Sequence, residues 1–219
     1  MSILPKTATE ALRLILKAED AHADLIEVRL DCFKDYSRLD DVATHGKTLK
    51  IATCKMRSSH GEFSGTATEQ QQLLLNAAKN GFKYVDVDLT QPKLNETTKE
   101  LKRLGTTLIV SSHNFAETPS AAELGRVLEK EIASGADVCK IVTTAKRIED
   151  NLALLGFTAT VCNKAKIVCF AMGELGKVSR LLSPLFGGYF TFASLERGSE
   201  TAAGQMTIQE MRAAYELLG

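Results

Sequence analysis

The sequence predicts a closed barrel of eight parallel β-strands, each followed by a helix, and three observations carry that prediction. Short apolar or β-branched runs alternate with longer stretches of helical spacing along all 219 residues. No Pro-, Gly- or Ser-rich linker divides them, so residues 1–219 read as a single (βα)8 domain of the TIM type. Several strand-like runs carry charges on alternate residues, and a parallel strand covered by helices has room for charge only on the face turned into a barrel. Strand and helix alternation implies parallel pairing, and eight such units suit this length. A doubly wound open sheet is the competing architecture.

The strand-like runs fall at 2–4, 24–31, 49–54, 83–89, 106–112, 137–142, 165–171 and 189–194, and the first is short for a barrel strand. Helical patterns fill the intervals, among them 9–21, 68–80, 93–104, 120–134 and 207–219. Several start after Thr, Ser or Asp and stop near glycine, as in AAKNGF, KRLGT and IASGAD, the residue types that cap helix ends.

Hydrophobic residues make up 44% and charged residues 25%, enough to bury a sizeable core. Lys plus Arg equals Asp plus Glu at 27 each, so no long-range field draws the chain to nucleic acid or to an anionic membrane. No apolar run approaches the roughly 18 residues of a membrane span, and the start lacks a charged segment followed by an apolar core and cleavage site. The expected compartment is the cytoplasm. Five cysteines without C-x-x-C spacing argue against a disulfide framework and a structural zinc site. Cys32, Cys54, Cys139, Cys162 and Cys169 read as small hydrophobes in or beside apolar runs.

In LIEVRLD, Glu27, Arg29 and Asp31 share one face, opposite Ile26, Val28 and Leu30. Asp86 and Asp88 likewise oppose Val85, Val87 and Leu89, while Lys140 shares its face with Val138 and Val142. These charges are expected inside the barrel, where they either satisfy one another or face a ligand. Their position near the C-terminal strand ends, where such barrels place their chemistry, favours the ligand. A lysine there is suited to forming an imine with a ketone or aldehyde. His113, directly after the strand run 106–112, is the candidate proton carrier. His22, His45 and His60 lie in helical or loop stretches and read as solvated surface histidines. Arg180, in MGELGKVSR, suits a substrate carboxylate, although the glycines of that segment would also allow a phosphate cradle.

The segments ADLIEVRLD, ATCK, YVDVDL, SSHNF, DVCKIV, MGELGKVSR and TFASLERGSETAAGQ, in this order and at these separations, resemble the type I 3-dehydroquinate dehydratases of the shikimate pathway. The resemblance implies a (βα)8 barrel that converts 3-dehydroquinate to 3-dehydroshikimate, on the route to chorismate and the aromatic amino acids, without metal or other cofactor. It makes Lys140 the imine former, His113 the general acid/base and Asp88 the carboxylate that orients the histidine. It assigns Glu27 and Arg29 to substrate hydroxyls, Arg180 and Gln205 to the substrate carboxylate and its neighbourhood, and Thr201 to the loop above it. Lys55 stands where the family usually has arginine, with Arg57 as the other cation for that place. Asp88 is one methylene shorter than the usual glutamate, Thr201 replaces a serine and Ala203 a proline.

The implied partner is the small-molecule substrate, with neither nucleic acid nor membrane; the assembly is left open, and a homodimer is compatible. Two competing readings are a lysine-imine aldolase, which would need a phosphate cradle after its late strands, and a catalytically silent sugar-acid binder.

Overall fold

In the computed structural model, which describes residues 1–218, seven strands pair in parallel in chain order. They are β1 (Ser2–Ile3), β2 (Ile26–Arg29), β3 (Lys50–Thr53), β4 (Tyr84–Asp88), β5 (Thr107–His113), β6 (Val138–Thr144) and β7 (Ile167–Met172). Helices α1 (Ala8–Asp20), α2 (Leu39–Thr44), α3 (Ala67–Lys79), α4 (Leu94–Arg103), α5 (Ala121–Ala133), α6 (Asp150–Val161), α7 (Lys177–Leu182) and α8 (Ile208–Leu218) alternate with them. The predicted last residue of the final helix, Gly219, lies outside the described residues.

Local chemistry sets many of the helix ends. Thr66 and Glu69 at the start of α3, and Ser120 and Glu123 at the start of α5, cap each other reciprocally, each hydroxyl taking a backbone N–H and each carboxylate returning the favour. Such a cap contributes about 1 kcal/mol. After α3 and α5 the chain turns through Gly81 and Gly135 at φ +107° and +90°, a region open to glycine and strained for other residues. Helix α6 has no clean polar stripe in the sequence because it is buried on several sides, from Asp150 and Asn151 to Leu154, Leu155, Phe157, Thr158 and Val161.

The predicted strand faces are the observed ones. Val28, Val85, Val87, Leu108 and Val110 point outward and are buried under the helices. Ile51, Ile109, Val138, Val142, Val168, Phe170 and Phe192 fill the barrel interior.

The eighth predicted strand, 189–194, is corrected. It runs extended between β7 and β1, bound by Tyr189 N to Ile167 O at 2.7 Å and by Ser2 N to Ala193 O at 2.9 Å, but forms no ladder. A ladder needs consecutive partners, and β1 offers only two residues. The gap is closed by side chains instead: Phe190 packs edge-on against Phe192 at 5.5 Å, and Phe192 against Phe170 at 6.2 Å.

Among the described residues, no helix is long and apolar enough to cross a membrane. All five cysteines are free, and burial pushes the Cys139 and Cys169 thiols up to about 12, in keeping with inert packing residues.

Glu131 of α5 is fully buried, and neither carboxyl oxygen has a hydrogen-bond partner. Burial first, and the negative charge of Asp86 second, raise its pKa to about 10. The folded state therefore holds a proton that the unfolded chain releases near pH 4.5. Stability is complete below that pH and is lost progressively as pH rises toward 10, by on the order of 3 kcal/mol at pH 7. Glu131→Met removes the titration, so its melting temperature should exceed that of the parent by a margin that widens between pH 5 and 9. A margin independent of pH would show that the carboxyl is not protonated in the fold.

Candidate active site

The inward charges meet at the C-terminal ends of the strands around one carboxylate. Asp86 on β4 accepts hydrogen bonds from Lys140 Nζ on β6 at 2.8 Å, Lys55 Nζ after β3 at 2.8 Å and Ser111 Oγ on β5 at 2.6 Å. The ladder sets Ser111 beside Lys140 on the neighbouring strand, and both side chains reach back to Asp86, which is level with Ile109. Burial alone would push the Asp86 carboxyl up, but the two ammonium groups outweigh it and hold the group well below the usual carboxylate range. For Lys55, burial is likewise outweighed, by Asp86 and then Asp88, and its pKa is raised. Asp86 is thus a permanent anion and Lys55 a permanent cation.

Lys140 is 5% exposed, at the floor of a cavity of about 340 Å³. Its ammonium lies 4.2 Å from the Phe192 ring centre and 3.7 Å from Glu27 Oε1. Glu27 is itself held by Ser2 Oγ at 2.6 Å and Thr53 Oγ1 at 2.9 Å. Arg29, on the cavity wall, forks onto Asp31 with contacts of 2.8 and 2.7 Å. His113, the last residue of β5, is half-buried on the same wall. Burial, and then the positive charges of Lys55 and Lys140, hold its pKa well below the ordinary histidine value. Its imidazole is neutral at pH 7.

Arg180 enters from α7, and its Nε and Nη2 have no partner although the residue is 1% exposed. Its guanidinium stacks 4.3 Å from the Phe170 ring centre, and burial lowers its pKa to about 10. A buried cation with free donors at a cavity wall is arranged to receive an anion. The segment MGELGKVSR holds it there by close packing. A Cβ on Gly176 would stand 2.6 Å from Ala171 O, and Ser179 Oγ accepts Ala171 N at 3.0 Å, pinning α7 to the end of β7. The loop after residue 196 closes over this corner. A Cβ on Gly204 would stand 2.1 Å from Gly173 O, and Thr201 N donates to Gln205 Oε1 at 2.7 Å, leaving the buried Gln205 Nε2 unpartnered toward the cavity wall.

The structure therefore gathers Glu27, Arg29, Lys55, His113, Lys140, Arg180, Thr201 and Gln205 around one cavity. Of the two candidates for the cationic position, Lys55 lies within it, whereas Arg57 is exposed in a 3₁₀ turn. Asp88 differs from its expected place. Its Oδ1 accepts from Thr90 N at 3.0 Å and Thr90 Oγ1 at 2.6 Å, Oδ2 lies 3.9 Å from Lys55, and no hydrogen bond joins it to His113. A short aspartate at a strand end turns back on the backbone two residues ahead, which a longer side chain does less readily.

Two residues escaped the sequence reading. Asp86 was visible only as an inward charge two positions before Asp88, and its central role depends on which strands neighbour β4. His60 is exposed, as expected, but its ring also lines the cavity.

This geometry provides an amine held by a fixed anion, a neutral imidazole one strand away and an unpaired guanidinium for an anionic substrate. The Type I 3-dehydroquinase family model matches residues 1–219. A 3-dehydroquinate dehydratase of Dehalococcoides mccartyi is 42% identical over 193 residues, covering 88% of this chain and 85% of that relative. One of Coxiella burnetii is 34% identical over 218 residues, covering 98% and 90%. The crystal structure of a type I 3-dehydroquinate dehydratase from Clostridium difficile, with covalently modified comenic acid, is similar in fold, with a TM-score of 0.89 at 23% identity over 99% of this chain and 90% of that one. On the full-length family match and these relatives, the chain belongs to the type I 3-dehydroquinase family.

Proposed function

We propose that this chain converts 3-dehydroquinate to 3-dehydroshikimate, a step of the shikimate pathway, through an imine on Lys140. The observation that carries the reading is the Lys140–Asp86 pair at the cavity floor, with His113 and the unpaired Arg180 on the same walls. The amine adds to the C3 ketone and water leaves, giving an iminium. Because the iminium keeps the positive charge on nitrogen, Asp86 pairs with both the resting lysine and the intermediate, and no new charge has to be buried. The iminium acidifies the C2 proton, which the neutral His113 imidazole removes to give an enamine. The enamine expels the C1 hydroxyl as water with the proton His113 now carries. Hydrolysis of the product imine returns the lysine, so the net loss is one water.

In this scheme Glu27 and Arg29 meet substrate hydroxyls, Arg180 takes the carboxylate, and Thr201 and Gln205 close the loop over it. Lys55 stays charged and keeps Asp86 anionic when Lys140 loses its proton. Asp88 acts at one remove, as a second anion beside Lys55. The test is intact mass after incubation with 3-dehydroquinate and borohydride: a single reduced adduct on Lys140 is expected, and an adduct on another lysine overturns the assignment.

Arg180→Ala deletes the charge-assisted pair with the carboxylate, a loss of about 1.5–3 kcal/mol, or roughly 10–150-fold in kcat/KM. The loss should fall mainly on KM. Unchanged substrate affinity would move the carboxylate site elsewhere.

A further inference from the structure

His113 stands without a hydrogen bond to its imidazole among the described residues, so something else must set the direction of the ring. Stacked beside it is Phe115, two residues on, with ring centres 5.8 Å apart and planes 12° from parallel. On Phe115 in turn lies His60, with ring centres 4.0 Å apart. The three rings form one continuous wall of the cavity.

The loop that delivers His60 is built to do so. Phe63 N donates to Lys55 O and Arg57 N to Phe63 O, both at 3.1 Å, closing a tight excursion at the end of β3. Its far side is tied to the turn just after β2, because Glu62 N donates at 3.0 Å to the Asp31 carboxylate that also holds Arg29. At the tip, His60 adopts φ +58°, ψ +30°, a left-handed conformation uncommon outside glycine. A Cβ on the next residue, Gly61, would stand 2.0 Å from Lys55 O, so the turn closes only with glycine there. Two other non-glycine residues have positive φ, His22 and Lys93, and neither lines this cavity. Backbone strain at a cavity rim, ending in a ring stack, is the pattern of a functional rather than a connecting loop.

We infer that His60 is a positioning residue, which presses Phe115 against His113 and so holds the imidazole in line with the substrate proton. The inference rests on the reading of His113 as proton carrier. Phe115 is 39% exposed and His60 exposed, so neither supports the core, and substitutions at both leave the fold intact.

The experiment measures kcat, KM and borohydride trapping of Lys140 in His60→Ala, His60→Phe, Phe115→Leu and the His60→Ala/Phe115→Leu double variant. Loss of an aromatic contact predicts a fall in kcat of roughly 2–10-fold in His60→Ala and Phe115→Leu, with KM and trapping close to the parent. His60→Phe, which keeps a ring but no imidazole, restores kcat. Because His60 acts through Phe115, the double variant is no slower than Phe115→Leu alone. Unchanged kcat in His60→Ala, a loss confined to KM, failure of the His60→Phe rescue, or multiplicative effects in the double variant each overturn the brace. His113→Ala, assayed alongside, reports on the underlying reading separately: if that variant turns over normally, the proton-carrier role fails, whatever the other four show.

Discussion

Lys140→Ala should lose turnover by roughly 10⁴–10⁶-fold, the range expected for removal of a covalent nucleophile, and with it all borohydride-trapped adduct. The scale follows from the mechanism, because the iminium is the electron sink and no other group on the cavity floor takes its place. Folding should survive. Asp86 loses one of its two ammonium partners but keeps Lys55 at 2.8 Å and Ser111 Oγ at 2.6 Å, and the buried Glu27, which loses an ammonium at 3.7 Å, keeps hydroxyl donors from Ser2 and Thr53. Lys140→Met serves as a second variant, retaining the aliphatic stem against Phe192 while deleting the amine. Both should bind the substrate carboxylate through Arg180 and be stabilised thermally by 3-dehydroquinate. A trapped adduct in either variant, or turnover within tenfold of the parent, would show that the imine forms elsewhere.

His113→Ala separates the nucleophile from the proton carrier. The imine should still form and be trapped on Lys140, while dehydroshikimate absorbance grows at least 10²–10⁴-fold more slowly, the usual cost of a general acid/base. One imidazole serving both transfers places the loss toward the upper end. Its environment also sets the pH profile. Burial and the nearby Lys55 and Lys140 hold the imidazole pKa well below 6.5, so the base form persists as pH falls through that value. The acid limb of kcat/KM should therefore lie below the ordinary histidine range and be absent from the residual activity of His113→Ala. A limb near pH 6.5 would mean that a solvated histidine controls the rate, and near-normal turnover in the variant would remove His113 from the chemistry.

The alternation of Glu27 and Arg29, of Asp86 and Asp88, and the isolated Lys140 were enough to read charges inside a barrel, because side-chain direction along a strand depends only on the parity of the residue number. Glycines that stop helices, as in AAKNGF and IASGAD, were legible for a similar reason: the signal is local and needs no tertiary partner. Lys140 stands out as an ammonium in the middle of an apolar strand run, His113 as a histidine directly after another, and Arg180 as a cation entering a helix behind a glycine-rich turn.

What parity and local chemistry leave open is distance across the barrel. Asp86 and Asp88 are equivalent by parity, and the ladder even sets Asp88 level with Ser111 and Lys140; only the folded side-chain positions decide that Asp86 takes both lysines while Asp88 turns back to Thr90. Lys55 and Arg57 were interchangeable in the sequence until the tight excursion after β3 kept one inside the cavity and left the other in solvent. The same excursion leaves His60 exposed, as expected, and also sets its ring in the cavity wall against Phe115, more than fifty positions away. The stretch 189–194 has strand-like composition, but a strand is a relation between neighbours. With only two residues of β1 beside it, the barrel closes there through two hydrogen bonds and a cluster of phenylalanines rather than a ladder.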